Sequence, residues 1–404
     1  MKGESPGKKV WKKFLKNKLA FLGFLVIIIS FVVAIFCYLV MPDDSPMANR
    51  MNLSISNQPP GFQVQMLQRK NANEDRTPFL TGIFSGFRST DEIIPISTYR
   101  LEGNELIYEE FTGDQNDKGS EQRIEIVSVI YGDDWKSEKQ AEGDSEYMAT
   151  AEDGKRVRVT IEELREKIQT DHIKTQHFIL GTDRYGRDLL SRLLAGTRIT
   201  VSVGLIAVVI SLLIGITFGA LAGFFKGWVD EVILWLINVV WSIPTLLLVI
   251  AITLVMGKGV EQVFIAVGCT MWVEVARIVR GQLLSIRELE YIDAGRVLGF
   301  KNARIILKHI LPNLFGPVIV VAAANFSAAV LLEAGLSFLG IGAQPPVPSW
   351  GAMIKENYGY IIIPQSAYQA VLPGLAIMLL AMAFAFVGNG LRDALDSKTQ
   401  VKLT

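Results

Sequence analysis

Long apolar segments with few charged residues alternate with polar segments along the chain. The first runs from Leu19 to Met41 and contains no charged side chain. Five more follow after a long polar interval, covering residues 199–225, 232–256, 263–281, 314–339 and 369–391. Each approaches or exceeds the ~20 residues that a helix needs to cross the hydrocarbon of a bilayer. The pattern predicts an all-α polytopic membrane protein with six transmembrane helices.

The first apolar segment has two interpretations, a cleaved signal peptide or a retained anchor. Its basic start suits both, but the segment exceeds a signal-peptide core and no small-x-small cleavage site follows it. Ile35 and Phe36 precede Cys37 where a lipoprotein cleavage site would have small residues. We therefore expect a retained transmembrane helix at 19–41. Cys37 and Cys269 both lie in apolar runs and are expected to be packing residues.

The distribution of basic residues predicts the topology. The polypeptide has no net formal charge, yet residues 1–18 hold seven lysines and one acid. The inner end of the fourth span and the loop after it are also basic, with Arg277, Arg280, Arg287, Arg296, Lys301, Arg304 and Lys308. The tail at 392–404 adds Arg392, Lys398 and Lys402. By the positive-inside rule both termini and this loop are cytoplasmic, and the polar interval at 42–178 is exported.

The exported interval is acidic and is predicted to fold as a small α+β module. Its stretches "IPISTYRLEGNELIYEEF", "QRIEIVSVIYG" and "KRVRVTIEEL" alternate polar and β-branched residues, and Gly-Asn and Asp-Gly pairs favour hairpin turns. Thr160 followed by Glu163 is typical of a capping box and predicts a helix over 161–171. His172 and His177 are interpreted as solvated surface histidines rather than metal ligands.

Glycine and polar residues inside the spans indicate packing and path positions. Gly215, Gly219 and Gly223 recur every fourth residue, which favours close approach of a neighbouring helix. Ionisable and polar groups at membrane depth are costly and often mark a path or gate. The candidates are Asn238, Pro244, Glu274, Arg277, Asn325 and Glu333. Four of these candidates also have an interpretation without a path or gate role. Pro244 could be a harmless kink, and Glu333 could lie at headgroup level. For Glu274 and Arg277 we favour a local ion pair.

The basic loop at 284–313 has the pattern of a bent pair of helices. Leu289, Ile292 and Val297 are spaced for one amphipathic helix, with Ala294 and Gly295 forming a small-residue face for another surface. Gly299 interrupts this helix and permits a sharp bend. A second helix follows and is predicted to end at Pro312. We call this cytoplasmic helix-turn-helix, residues 284–313, the elbow; its shape suits docking into a partner's groove.

The elbow resembles the cytoplasmic loop of permease subunits from bacterial ATP-binding-cassette (ABC) importers. That motif reads Glu-Ala-Ala, three residues, Gly, nine residues, Ile, one residue, Leu-Pro. Here the spacing is kept, with Asp for Glu, Gly for the second Ala and His in the Ile place. By this resemblance the ATPase-coupling residues are Glu290, Asp293, Ala294, Gly295, Gly299, His309, Ile310, Leu311 and Pro312.

Three further stretches resemble the C-type permease of the oligopeptide, dipeptide and nickel importers. They are "LGTDRYGRDLLSRLLAGTRITVSVG" at 180–204, "SIPTLLL" from Ser242 and "LEAGLSFLGIGAQPPVPSWGAMI" at 332–354. The resemblance covers 1–41 loosely and 179–397 closely. It implies one N-terminal helix, then a five-helix permease core at 179–391 that includes the elbow. The inserted 42–178 module is longer than this family's usual first exported loop.

The resemblance also implies partners and a location. No Gly-Lys-Ser/Thr phosphate loop occurs in the sequence, so ATP and Mg are expected in partner subunits and no cofactor in this chain. The expected partners are a second homologous permease subunit, two ABC ATPase subunits, an extracytoplasmic substrate-binding protein and membrane lipid, with no nucleic acid. The expected location is the bacterial inner membrane.

The sequence is compatible with several alternatives. The cargo is expected to be peptide, with nickel or another small ligand as the alternative. A membrane sensor would suit the exported module, and an intramembrane hydrolase is disfavoured because Ser202, Ser211 and Ser242 have no histidine within the spans. The module at 42–178 is either a contact for the binding protein or a structural cap. We expect no catalytic residue and no metal ligand in this chain.

Overall fold

The computed structural model describes residues 6–71, 77–88, 91–114, 117–132, 135–139, 146–150 and 156–396. The predicted Asp153-Gly154 turn, and Lys398 and Lys402 of the tail, lie outside these ranges. The described residues fall into two compact units. One is drawn from 1–35, 196–359 and 370–404, and is called the helical unit here. The other is drawn from 36–195 and 360–369, and is called the sheet unit.

Helices make up most of the described chain. They are α1 (Pro6–Lys16), α2 (Lys18–Val40), α3 (Phe79–Ser85), α4 (Ile126–Tyr131), α5 (Ile161–Lys167), α6 (Leu189–Phe225), α7 (Gly227–Ser242), α8 (Thr245–Met256), α9 (Val260–Ile286), α10 (Glu290–Val297), α11 (Asn302–Ile305), α12 (Leu311–Phe338), α13 (Trp350–Asn357) and α14 (Tyr368–Leu395). The strands are β1 (Phe62–Arg69), β2 (Glu92–Glu102), β3 (Glu105–Glu110), β4 (Glu121–Glu125), β5 (Lys136–Lys139), β6 (Glu146–Thr150), β7 (Arg156–Thr160) and β8 (Ile173–Phe178).

Five helical segments in the described residues are long and apolar enough to cross a membrane. They are α2, α6, α9, the run Asn302–Phe338 that includes α11 and α12, and α14. The remaining predicted span, 232–256, is not one straight helix: α7 and α8 meet at a bend of 90°. Pro244 lacks an N–H and forces the preceding Ile243 into an extended conformation, so the helix ends there. The described part of the chain therefore has five candidate spans, or six if the bent pair is one.

The sheet unit is organised around a five-stranded antiparallel sheet of order β4-β3-β2-β1-β8. The hairpin predicted around Gly103-Asn104 joins β2 to β3, with Glu102 paired to Glu105. A core that includes Leu67, Leu106, Ile126 and Leu164 covers one face of this sheet. Strands β5, β6 and β7 form a separate three-stranded sheet.

The local predictions for the sheet unit hold in part. Thr160 and Glu163 form both bonds of the capping box, and α5 is followed by a π-helical turn at Ile168–His172. The stretch "QRIEIVSVIYG" was expected to be a strand, but only β4 is extended and α4 takes the rest. Val127, Val129 and Ile130 are all buried, which strand alternation does not permit but a helix lying on the sheet does.

The core of the helical unit lies where α6, α9 and α12 pack together. One cluster contains Val203, Ala266 and Ala329, and a second contains Phe224, Val279 and Leu314. At the chain ends, Phe14 of α1 and Ala20 of α2 pack against Val387 of α14. The N-terminal anchor is therefore part of the bundle, held by side chains of the last helix.

Candidate functional site

The elbow bends at Gly299, where the sequence predicts it. Gly299 has a φ of 74°, a left-handed conformation that glycine adopts without strain. Its N–H donates to the carbonyl of Arg296 at 2.9 Å, and the N–H of Phe300 donates to the carbonyl of Gly295 at 3.0 Å. These two bonds form the Schellman arrangement that satisfies the last carbonyls of a helix. Gly299 therefore ends α10 and turns the chain toward α11.

The inner face of the elbow is anchored in the helical unit. Ile292 of α10, Ile305 of α11 and Ile310 share one buried cluster with residues of α6 and α9. Burial of each such side chain contributes about 1.5–3 kcal/mol. The elbow is thereby fixed to two membrane helices rather than hanging from the bundle as a loop.

Gly295 does not lie where the sequence predicts it. We expected Ala294 and Gly295 to form one small-residue face toward a partner. Ala294 is exposed, but Gly295 is buried. A side-chain carbon at position 295 would lie 3.4 Å from the ring of Phe300. Position 295 is therefore packed inside the elbow beside Phe300, where a side-chain carbon would make an ordinary van der Waals contact.

Pro312 does not end the second helix. The candidate span runs without a break from Asn302 to Phe338, and Pro312 lies in the first turn of α12. Residues Ile306–Ile310 form a π-helical turn just before it. Proline removes a backbone donor and its ring crowds the carbonyl four residues earlier, and a widened turn accommodates both effects. As a result, α11 leads into the membrane helix α12 without a break.

The outer face of α10 carries charge and exposed apolar side chains. Asp293 and Arg296 form an exposed ion pair with an N···O distance of 2.8 Å. Val297 and Leu298 are 88% and 71% exposed. His309 stacks on Phe300 with ring centroids 5.9 Å apart. An exposed apolar patch next to an ion pair is typical of a protein contact surface. The coupling role of these residues stays a prediction.

A groove of about 910 Å³ lies in the helical unit among α7, α8, α9 and α12. Of the six predicted path residues, Glu274, Arg277 and Asn325 line it. Asn238 is joined to it because the Arg277 guanidinium donates to Asn238 Oδ1 at 3.1 Å. Pro244 lies next to Thr245, another lining residue. Most of the wall is apolar, so a few polar groups define its chemistry.

The predicted ion pair between Glu274 and Arg277 is wrong. In the described structure, Glu274 and Arg277 form no ion pair with each other. The Arg277 guanidinium lies 3.3 Å from the centroid of the Trp241 ring and donates a hydrogen bond to Asn238. Stacking on an aromatic face and bonding to an amide satisfy the cation without using the carboxylate. Glu274 is exposed near the middle of α9. A carboxylate and a guanidinium therefore face the groove separately.

Glu333 does not line the groove. Its side chain is buried in the helical unit. Ser337 donates to its Oε1 at 2.8 Å, and Thr200 of α6 donates to its Oε2 at 3.4 Å. Asn325, also buried, donates from Nδ2 to the carbonyl of Met271 at 3.4 Å. The structure thus separates Glu333 from the other candidates.

The three spaced glycines of α6 all face α9. A side-chain carbon at Gly215 would lie 2.7 Å from the carbonyl oxygen of Trp272, and one at Gly219 would lie 2.5 Å from that of Ala276. At Gly223 the nearest atom would be the carbonyl oxygen of Arg280, at 3.0 Å. The distances at Gly215 and Gly219 are too short for a larger residue, and at Gly223 the neighbour would have to shift by a few tenths of an ångström, so the two backbones touch along this stripe.

Two charge networks were missed from the sequence. In the sheet unit, Arg187 Nε lies 2.7 Å from Asp183 Oδ2, and both side chains are at least 98% buried. Arg192 lies 3.7 Å from the same oxygen. In the helical unit, Arg280 of α9 makes two bonds of 2.5 and 2.6 Å to Asp230 of α7. The spacing of Asp183 and Arg187, four residues apart in the stretch at 180–204, could have indicated the first of these networks.

Asp188 belongs to the same buried region of the sheet unit. Burial raises the pKa of its carboxyl above the usual aspartate value, although hydrogen bonds from Ser191 oppose this, and the nearby charge of Asp43 raises it further. His172 is half-buried, with Nδ1 2.7 Å from the carbonyl of Gln68, and His177 is exposed. Among the described residues, no group of three or more potential metal ligands occurs.

Two protein-family models match most of this chain. Residues 215–401 match the model of the binding-protein-dependent transport system inner membrane component. Residues 5–60 match the model of the N-terminal TM domain of oligopeptide transport permease C. Together these matches cover the anchor, the elbow and the groove. They confirm the resemblance drawn from the sequence.

Curated relatives agree with the family models. The chain is 41% identical over 219 residues to the glutathione transport system permease protein GsiD of Pectobacterium atrosepticum, covering 54% of this chain and 72% of that protein. It is 42% identical over 219 residues to the dipeptide transport system permease protein DppC of Alkalihalophilus pseudofirmus, covering 54% and 71%. A solved inward-facing MetNI methionine ABC transporter chain is 18% identical with a TM-score of 0.43, covering 52% of this chain and 98% of that one. That likeness is too weak to bear on the fold.

Proposed function

We propose that this chain, which belongs to the family of inner membrane permease components of binding-protein-dependent transport systems, forms one half of a path for peptides through a bacterial inner membrane. The relatives reported above are named for glutathione and dipeptide transport, which supports a peptide cargo over nickel. A second homologous permease subunit supplies the other half of the path. The chain performs no catalysis of its own in this scheme.

The main observation in support of a transport path is the exposure of Glu274. This carboxylate sits near the centre of a 27-residue membrane helix, with Arg277 one turn away, in a groove of about 910 Å³. Ionised groups exposed to hydrocarbon cost several kcal/mol, so such residues face water or protein. A water-filled path shared with a second permease subunit removes that cost. A peptide carries charges of both signs at its ends, which suits a wall with one carboxylate and one guanidinium.

Packing within the helical unit supports the proposed orientation. Lys13 of α1 bonds the carbonyls of Asp393 and Asp396 at the end of α14. A side-chain carbon at Gly316, just after the elbow, would lie 3.2 Å from Leu395. The basic N-terminus, the elbow and the end of α14 therefore meet at one end of the bundle. We place that end in the cytoplasm because all three are rich in lysine and arginine.

The elbow is the coupling device in this scheme. Two ABC ATPase subunits bind ATP and Mg, close on nucleotide and push the outer face of α10. Because Ile292, Ile305 and Ile310 anchor the elbow to α6 and α9, and because α11 continues into α12, the push tilts the membrane helices as a unit. The groove then faces alternate sides of the membrane.

Six membrane crossings result when α7 and α8 count as one broken span. The strands and helices of 42–178 form an exported α+β module beside a substrate-binding protein.

The experiment compares two alanine substitutions in proteoliposomes that contain the complete transporter and its binding protein. Ala294→Trp adds bulk to the exposed face of α10, whereas Ala251→Trp adds the same bulk to an exposed position of α8. We expect Ala294→Trp to abolish ATP-driven uptake of labelled dipeptide while the chain still inserts, and Ala251→Trp to transport normally. Normal uptake by Ala294→Trp would defeat the coupling role.

A separate substitution tests the groove. Glu274→Ala should reduce peptide uptake and leave assembly with the ATPases unchanged, because the side chain is exposed and carries no packing role in this chain. Glu261→Ala, an acidic residue in the first turn of the same helix, is the matched control. Equal uptake by both variants would remove Glu274 from the path.

A further inference from the structure

A single residue, Lys226, joins α6 to α7. It has a φ of 53°, and the following Gly227 has a φ of 55°. A lysine in the left-handed region is strained, and such a conformation persists when surrounding contacts hold it. Those contacts come from the start of the elbow. The Arg287 guanidinium donates to the carbonyl of Phe224, and Lys226 Nζ lies 3.7 Å from Glu288 Oε1.

The elbow also contacts this turn through its helix α10. Ile292 shares a buried cluster with Phe224. The guanidinium carbon of Arg296 lies 5.9 Å from the centroid of the Phe224 ring. A guanidinium at this distance is attracted to the face of the ring. Arg296 also pairs with Asp293 on the outer face of α10, so one side chain connects that face to the turn between α6 and α7.

Just beyond the turn, Asp230 of α7 is held by Arg280 of α9. Nε and Nη2 of the guanidinium each donate to one carboxylate oxygen of Asp230, at 2.5 and 2.6 Å. We call these two bonds the fork. Two parallel charge-assisted bonds fix direction as well as distance. The Arg280 and Asp230 side chains are 24% and 14% exposed, so water screens the fork less than it screens the exposed pair of Lys226 and Glu288.

Helix α7 connects the fork to the groove. Its buried residues Ile233 and Ile237 pack in one cluster with residues of α9. In its last turns, Asn238 accepts a hydrogen bond from Arg277, and the Trp241 ring lies under the same guanidinium. Trp241 and Arg277 both line the groove. A displacement of the first turn of α7 therefore reaches the wall of the groove.

We infer that Asp230 is a positioning residue for transport, which passes movement of the elbow to α7 and the groove wall through its fork with Arg280. The inference rests on the proposed function, since it needs ATPase subunits that push the elbow. The apolar contacts between α7 and α9 are not directional, so the two helices can slip against each other when the fork is lost. ATP hydrolysis then continues while fewer peptides cross for each ATP consumed.

The first test measures the number of labelled dipeptides taken up per ATP hydrolysed, in proteoliposomes that contain the complete transporter and its binding protein. Asp230→Asn keeps the size of the side chain but removes its charge and one of its two acceptor oxygens. We expect this ratio to fall several-fold while assembly and ATP hydrolysis are retained. Glu231→Gln, at an exposed acidic residue of the same turn, is the matched control and should behave as the natural chain. An unchanged ratio in Asp230→Asn would overturn the inference.

A removable link separates the role of the fork from a general effect on folding. Asp230→Cys and Arg280→Cys are combined, and a short disulfide-containing crosslinker joins the two thiols. We expect a low ratio before crosslinking, a restored ratio after it, and a low ratio again when a reductant cleaves the link. The natural chain, treated in the same way, reports any effect at Cys37 and Cys269. A ratio that the crosslink leaves low would mean that the fork transmits no movement.

These results are distinguishable from a failure of the proposed function. If the natural chain shows no ATP-driven uptake, the proposed function fails before any variant is compared. If the natural chain transports and Asp230→Asn transports with the same ratio, the role of the fork fails and the proposed function stands.

Discussion

The hydroxyl of Ser337 joins the buried carboxylate of Glu333 to the chain that follows α12. It donates to Glu333 Oε1 at 2.8 Å and accepts from the N–H of Ala343 at 3.1 Å. Ser337 is itself 1% exposed. A buried carboxylate is stable only when donors surround it, so this hydroxyl supports both the helix and the turn after it.

Removing that hydroxyl should destabilise the bundle. Ser337→Ala leaves Glu333 short of one donor and the Ala343 N–H short of its acceptor, which costs about 1–3 kcal/mol. The measurement is the thermal unfolding midpoint in detergent, followed through near-ultraviolet circular dichroism. Ser285→Ala is the control, since its exposed hydroxyl makes only a 3.5 Å contact with Gly281. Equal midpoints for the two variants would contradict the role of Ser337.

The contact between α6 and α9 should not tolerate a methyl group. Gly219→Ala places a carbon 2.5 Å from the Ala276 carbonyl oxygen and 2.8 Å from Val279 Cβ, so the helices must separate. Overpacking of this kind costs about 1–3 kcal/mol. Gly281→Ala on α9 meets nothing within 4 Å and should be neutral or stabilising by up to ~1 kcal/mol. Unfolding midpoints of both variants in the same detergent check the difference, which vanishes if the two helices are not in backbone contact.

The Asp183–Arg187 pair should be a large contributor to the sheet unit. Asp183→Asn keeps the size of the side chain but leaves the buried Arg187 guanidinium without its carboxylate, which costs about 3–5 kcal/mol. Resistance of the reconstituted protein to protease should fall accordingly. Glu102→Gln, whose pair with Arg100 is 2.8 Å long but more than half exposed, should cost about 0–1 kcal/mol. Similar protection of both variants would show that burial does not set the energy of the pair.

The raised pKa of Asp188 makes stability depend on pH. Because burial favours the protonated form, the stability from this group is fully present below the ordinary aspartate pKa and is lost as pH rises through the raised pKa. Asp188→Asn does not titrate, and its amide oxygen can accept from the Ser191 N–H, which donates to Asp188 at 2.8 Å. Over the range that begins near pH 4, the ordinary aspartate pKa, the unfolding midpoint of the natural protein relative to this variant should therefore fall as the pH rises. A constant difference across that range would contradict the shift.

The sequence predicts a structural feature when that feature is determined by residues that lie close together along the chain. Apolar length alone located α2, α6, α9, α12 and α14, because a bilayer imposes a minimum on any helix that crosses it. The bend at Gly299 and the capping box at Thr160 were also predictable, since backbone angles and first-turn bonds are properties of neighbouring residues.

Tertiary structure decided what each side chain meets. Arg277 bonds Asn238 and stacks on Trp241 rather than pairing with Glu274, Gly295 is buried beside Phe300, and α4 forms where alternation suggested a strand. These outcomes depend on helices and strands far away in sequence, which compete for the same side chain by burial and hydrogen bonding. The chain thus encoded its spans and its bend locally, while packing alone selected the partners within the groove, the elbow and the buried charge networks.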